Sequence, residues 1–308
     1  MTLQQQLLQF LVSGIVVGSI YALIALGFVT IYNVTGIINF AQGEFAMLGA
    51  FAAITVFQDI RLLSGNVQIN LEWPLPLAAL FGVVTATLIG LILYRLAIQT
   101  ARDASVLSMI IITIGAAFVL RGAALMVWGT DPSRLPVFSE GPPLRVFGAI
   151  LTRQGVWVVA VTAVLLFILY FFFNKTLTGK ALRACATNPG AARLMGINPR
   201  RMSMLAFSLS AAVTAIAGIV IVPQTFMTYD RGLSLSLTGF VAAIVGGMTS
   251  PVYAVLGGVL LGVLEAFGAG LLSSGYKDAI AFIVLFIVLI VRLGGLRGRA
   301  TVAEQAGL

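Results

Sequence analysis

Three polar residues, Asn39, Gln42 and Glu44, interrupt an otherwise apolar run, and Glu265 stands inside another. A charge inside a membrane-spanning stretch costs about 2.5–3.5 kcal/mol on insertion scales, so such groups either bond across helices or line a polar path. The chemistry open to these four is recognition and passage of a polar solute. Bond-breaking has little to work with: the chain holds no histidine, one cysteine (Cys185) and ten acids, and no nucleophile is paired with a base. The same inventory excludes disulfides and His-ligated metals or haem, so no metal and no cofactor is expected. Arg121, also within an apolar run, either extends its head group to the interface or pairs with an acid. Glu265 either joins the polar path or is that acid.

The second candidate is basic. Between Asn174 and Arg201 lie Lys175, Lys180, Arg183, Arg193, Arg200 and Arg201, with no acid. Lys and Arg beside membrane spans collect on the cytoplasmic side, so residues 174–203 are read as a cytoplasmic loop. Within it Asn188 caps a short helix, Pro189 takes the first helical position and Gly196 ends it. That helix carries Leu194, Met195 and Ile197 beside Arg193, which suits docking into a groove of a cytoplasmic partner. Cys185 reads as a small apolar contact residue.

These groups must be held by a membrane scaffold. The chain has 308 residues, 60% hydrophobic and 9% charged, with 33 glycines, the composition of a polytopic membrane protein. No stretch between spans is long enough for a soluble domain. Gly179-Lys180 lacks both the earlier glycine and the following hydroxyl of a phosphate-binding loop, so ATP hydrolysis would have to come from elsewhere. The net charge of +8 implies no nucleic-acid partner, because eleven of the eighteen basic residues flank spans on the side assigned to the cytoplasm.

Spans of about twenty apolar residues are read at Phe10–Tyr32, Ile37–Phe57, Pro74–Tyr94, Val106–Trp128, Gly155–Phe173, Met204–Val222 and Ala279–Val291. With no Lys or Arg before Arg61, a cleaved signal peptide is not expected. Residues 237–272 are broken at Gly246, Gly247 and Thr249-Ser250-Pro251. The arm Leu237–Met248 reads as re-entrant, with Pro223–Ser236 as an outer loop before it. Small residues recur every four positions at Gly14, Gly18 and Ala22, and again at Ala254, Gly258, Gly262, Ala266 and Gly270. Such stripes let helix backbones approach in lipid. Outer loops are read at Gln58–Trp73, with Asp59, Arg61 and Glu72, and at Gly129–Gln154, a short turn at Arg102-Asp103, and Arg292, Arg297 and Arg299 place the C-terminus inside. The expected fold is an all-α polytopic membrane protein of about eight to nine transmembrane helices, counting broken or re-entrant segments, in a single permease domain over residues 1–308.

Three stretches carry a resemblance: INFAQGEFAMLGAF (38–51), GKALRACATNPGAARLMGIN (179–198), and VAAIVGGMTSPVYAVLGGVLLGVLEAF (241–267) closing with YKDAIAF (276–282). Together they resemble the branched-chain amino acid permease family of ABC importers, LivH type, over nearly the whole chain. Gln42 departs from the family pattern, in which His is often expected. The resemblance implies a bacterial inner-membrane subunit working with a second, LivM-like permease, two cytoplasmic ATP-binding subunits and an extracytoplasmic solute-binding protein. It also implies that residues 179–198, with Arg183, Asn188, Pro189, Ala191, Arg193, Leu194, Met195 and Gly196, form the segment that sits on the ATPase. Branched-chain or related hydrophobic amino acids are the implied substrates, with urea or short amides as the alternative inside the family. A self-sufficient channel or secondary carrier, or a membrane anchor for a cytoplasmic complex, are the readings outside it.

Overall fold

Leu3–Thr35 forms one helix, α1. A capping box starts it: the Thr2 hydroxyl accepts from the Gln5 amide while the Gln5 side chain accepts from the Thr2 amide. Gly36, at φ 69°, ends it in the left-handed conformation that glycine adopts without strain. The helix begins seven residues before the apolar run because Gln9 fastens its polar first turns, bonding through its side chain to the backbone of Ile150. From Gly18 to Ile31 every residue is buried. A helix apolar on all sides belongs at the centre of a membrane bundle, and α1 occupies that place.

The computed structural model describes residues 2–291 apart from 59, 63–66, 70, 102–103, 147, 249 and 277–278. Asp59 of the expected outer loop, the expected turn at Arg102-Asp103, Thr249, and the arginines at 292, 297 and 299 lie outside the described residues. The remaining helices are α2 (Gln42–Phe57), α3 (Leu75–Leu93, widening into a π-turn over Tyr94–Ile98), α4 (Val106–Trp128), α5 (Arg153–Lys175), α6 (Leu177–Thr187), α7 (Pro189–Leu194), α8 (Pro199–Ile221), α9 (Arg231–Val245), α10 (Pro251–Leu271) and α11 (Ala279–Val291). Among the described residues six helices are long and apolar enough to cross a bilayer, and α2, α9 and α11 are shorter apolar helices. This is the all-α polytopic membrane fold, supplemented by two antiparallel hairpins, β1–β2 (Ile60–Leu62, Val67–Ile69) and β3–β4 (Leu144–Val146, Ala149–Leu151).

Helices α1 and α2 form the buried core, α8 and α9 wrap them, and α3, α4, α5, α10 and α11 present apolar outer faces such as Leu80, Phe118, Phe167, Leu260 and Phe286. Close approach is permitted by small residues. A methyl group at Gly14 would lie 2.6 Å from the Val263 Cα, one at Gly18 would lie 2.7 Å from the Val259 Cα, and one at Gly258 would lie 2.5 Å from the Ala22 amide nitrogen. Gly262 meets Gly18 and Ala254 is fully buried, while Ala266 is half-buried and Gly270 lies exposed against the Phe10 ring. In hydrocarbon this packing replaces the hydrophobic drive of water. Gly18→Leu is therefore expected to lower the melting temperature of the detergent-purified protein sharply, because the obstructing atoms are backbone and cannot turn aside. Gly122→Ala, facing open space on α4, is expected to leave it unchanged or slightly raised.

Two expected boundaries move. The run Ile37–Phe57 is helical only from Gln42, and Gly36–Ala41 is non-helical backbone, exposed at Gly36 and buried at Asn39 and Ala41. Residues 231–236, read as outer loop, form the first turns of α9, so this arm starts six residues earlier than Leu237. Ser234 and Ser236 disguised it as a loop; in the fold Ser234 lines a cavity and Ser236 bonds to the backbone at the start of α2. At 15 residues α9 is about 22 Å long, short of the roughly 30 Å hydrocarbon layer, and it turns into α10 through Gly246–Met248. There Gly247 has φ 92° and Met248 φ 57°, a sharp reversal that is half-buried, with Gly246 lying against the backbone of Tyr253 and Ala254.

Charge divides the two ends of the bundle. One end gathers Arg95, Lys175, Lys180, Arg183, Arg193, Arg200 and Arg201 with no acid among the described residues. The other, carrying the hairpins and the start of α1, mixes Asp131, Glu140 and Asp230 with Arg134, Arg145, Arg153 and Arg231.

Candidate functional site

The start of α2 is where the bundle's polar groups meet. Breaking the helix at Gly36–Ala41 frees backbone groups that water would satisfy elsewhere; inside the membrane, side chains from three helices do so. Ser236 on α9 donates to the Phe40 carbonyl (2.9 Å) and accepts from the Gly43 amide (2.6 Å). Thr113 on α4 accepts from the Phe40 amide at 3.3 Å. The Asn39 side chain accepts from the Ala41 amide at 3.2 Å, closing the turn that launches α2. Gln42 donates to the Thr214 hydroxyl and to the Ser210 carbonyl on α8, and Ser210 donates to the Gly27 carbonyl of α1 at 2.8 Å.

Glu44, in the first turn of α2, accepts a charge-assisted bond from Arg121 on α4 at 2.7 Å. The carboxylate is fully buried and the arginine side chain 15% exposed. Gly232, in the first turn of α9, lies directly on the other carboxylate oxygen, so the amino end of that helix faces the negative charge. Arg121 sits on the buried stripe Met109, Thr113, Ala117, Ala124, and its guanidinium is 5.5 Å from the Phe118 ring centroid. Three polar contacts thus latch α4 to the α2 region: Thr113 to the backbone at Ile38 and Phe40, Arg121 to Glu44, and the Trp128 indole to Thr55.

Asn39, Gln42 and Glu44 therefore come together, and Glu265 does not join them: on α10 it accepts from the Tyr21 hydroxyl of α1 at 2.7 Å. Nor is Glu265 the acid that pairs with Arg121: that partner is Glu44, which reaches it from α2. Asn39 Nδ2, Gln42 Oε1 and Glu44 Oε2 are buried without a hydrogen-bond partner among the described residues, so the cluster retains donor and acceptor capacity beyond what holds the helices. None of the three lines the 290 Å³ cavity at the mixed-charge end or the 470 Å³ cavity at the basic end.

The basic segment is built as an elbow. Between α5 and the expected short helix lies α6, which composition alone did not separate from loop. Its start is capped by the Thr176 hydroxyl accepting from the Gly179 amide at 3.0 Å, and Gly179 lies flat against the backbone of Phe172 and Phe173. Leu182 and Cys185 on its inner face are buried. Arg183 is turned back to Asn174 at 2.8 Å, bracing the elbow. Asn188 then caps α7, accepting from the Ala191 amide at 3.0 Å, with Pro189 in the first turn. The Ile197 amide closes on the Ala192 carbonyl and Gly196, at φ 80°, reverses the chain. Ala192 faces inward, while Leu194 and Met195 are 90% and 82% exposed beside Arg193. Asn198 caps α8 by accepting from the Arg200 and Arg201 amides.

Burial pushes the Cys185 thiol above the usual thiol range, which leaves less of the reactive thiolate at neutral pH. Maleimide labelling of the native protein at pH 7 is expected to run at least about tenfold slower than after denaturation, as timed by mass spectrometry.

Residues 10–289 match the family described as "Branched-chain amino acid transport system / permease component". The chain is 34% identical to the high-affinity branched-chain amino acid transport system permease protein BraD of Pseudomonas aeruginosa, covering 96% of this chain and 97% of that protein. It is 32% identical to the corresponding permease protein LivH of Escherichia coli K12, with the same coverage. A probable branched-chain amino acid transport permease protein of Methanocaldococcus jannaschii is 29% identical over 92% of this chain and 90% of its own length.

Proposed function

The chain belongs to the branched-chain amino acid transport permease family of ABC transporters, and from that premise we propose that it is the membrane subunit of an ATP-driven importer of branched-chain or related hydrophobic amino acids. As a multi-pass transport subunit it is not an enzyme; ATP is bound and hydrolysed by two partner subunits on the basic, cytoplasmic side. A second, LivM-like permease completes the membrane pair, and a solute-binding protein delivers substrate from outside.

The observation that carries this reading is α7: a capped, rigid turn that holds Leu194 and Met195 out of the protein on an end whose described charges are all positive. An apolar pair of that exposure, flanked by Arg193 and with Ala191 and Pro189 in a fixed turn, fits insertion into a groove of the ATPase. Closing of the ATPase pair pulls on α7. The motion passes through α6 and Arg183 to α5, and through Asn198 to α8, which holds Gln42 and the start of α2. Asn39, Gln42 and Glu44 lie where the bundle must loosen for a polar solute to pass, which is the role we assign to their unused donors and acceptors.

Reconstitution in liposomes tests the reading. The four-subunit complex with its binding protein is expected to accumulate leucine only with ATP inside, and the permease alone is expected to move none. Uptake by the permease alone would make it a channel or secondary carrier, and ATP-driven uptake of urea or a short amide in place of leucine would move the substrate within the family.

A further inference from the structure

At the mixed-charge end, a cavity of about 290 Å³ opens between α1, the end of α8 and the first turns of α9. The α1 wall is mainly aliphatic, with Val17 and Ile20 beside Tyr21; the α9 wall carries Arg231, Ser234, Leu235 and Thr238. The Arg231 side chain makes no salt bridge or hydrogen bond with a described residue, and among the described residues no carboxylate lines the cavity: Asp230 takes a bond from Thr228, and Glu265 takes one from Tyr21. A guanidinium with its donors uncommitted, beside free hydroxyl acceptors and facing an aliphatic wall, complements a small molecule that joins a carboxylate to a branched alkyl group. The volume is on the scale of one such molecule.

We propose that this cavity is an outward-facing binding site within the permease itself. Arg231 takes the α-carboxylate, Ser234 and Thr238 accept from the ammonium group, and Val17, Ile20 and Leu235 hold the side chain. That its occupant is an amino acid rests on the import reading above; that it is an aliphatic carboxylate rests on the cavity alone. Arg231 is the residue before Gly232, which touches Glu44, so a ligand drawn onto Arg231 acts on the same helical turn that abuts the Glu44–Arg121 pair.

Direct binding tests the site without the solute-binding protein, whose own specificity would otherwise mask it. The full permease complex in nanodiscs is titrated with leucine, leucinamide, isovalerate and isovaleramide. The wild type is expected to bind leucine at least about tenfold more tightly than leucinamide, since a charge-assisted pair is replaced by neutral contacts. Arg231→Gln is expected to remove that preference and Arg231→Lys to restore part of it. Ser234→Leu, which fills the cavity without changing charge, is expected to abolish binding of every ligand; unchanged melting temperatures for the variants show that they fold. Retention of the leucine preference by Arg231→Gln, or undiminished binding by Ser234→Leu, overturns the proposal, as does a wild type that binds none of the four. A wild type that binds isovalerate over isovaleramide but not leucine keeps the site and removes the amino-acid reading instead.

Discussion

Glu44→Gln is expected to destabilise the protein by about 3–5 kcal/mol, because it leaves the Arg121 guanidinium as an uncompensated charge against the bundle interior. The shape of the side chain is kept, so the loss reports charge rather than volume. Glu44 is fully buried and Arg121 nearly so, which keeps solvent from screening the pair. Arg121→Met alone is expected to cost a similar amount, now with an unpaired carboxylate. The double variant Glu44→Gln/Arg121→Met should recover most of the loss, since a buried pair replaced as a unit is often neutral. Unfolding in detergent micelles, followed by circular dichroism, measures the cycle. A Glu44→Gln variant as stable as the wild type would show that α4 is held by Thr113 and Trp128 without the pair.

Leu194→Asp is expected to weaken ATPase binding by about thirtyfold or more, the effect of losing a central apolar anchor of an interface. Arg193→Glu should weaken it less but make it strongly salt-dependent, since a reversed rim charge acts mainly on encounter. Both side chains lie on the exposed face of α7, where a polar substitution leaves the fold intact, so the melting temperature of the isolated permease should not move. Co-purification of the complex and ATP-driven uptake read the effect. Full assembly by Leu194→Asp would take α7 out of the interface.

The chain's spans were legible because hydrocarbon demands long apolar runs: Val106–Trp128 is helical over the expected residues. The cap at Asn188 and the reversal at Gly196 were legible because local backbone chemistry decides them. What escaped was set by distant partners. Nothing near Glu44 in sequence indicates an arginine on α4, or a glycine on α9 against its second oxygen. The hydroxyls of Ser234 and Ser236 resembled a loop because their polarity is spent on a cavity that only the folded bundle creates and on Phe40 and Gly43. Helix α6 was hidden by its charges, although Thr176 three residues before Gly179 is a cap signal in hindsight. The small stripe Ala78, Gly82, Ala86, Gly90 on α3 was readable at the same four-residue step as that of α10, and it packs on α2 and α8.

Helix α1 meets α10 through Gly14, Gly18 and Gly258, so during synthesis this hydrophobic segment waits about 250 residues for that neighbour. At synthesis rates of roughly 5–20 residues per second, that wait lasts on the order of tens of seconds. During it the notched surface of the nascent segment rests against lipid or the insertion machinery. Chains halted before Pro251 are accordingly expected to be degraded rather than stored, which makes synthesis of α10 a checkpoint for the survival of α1.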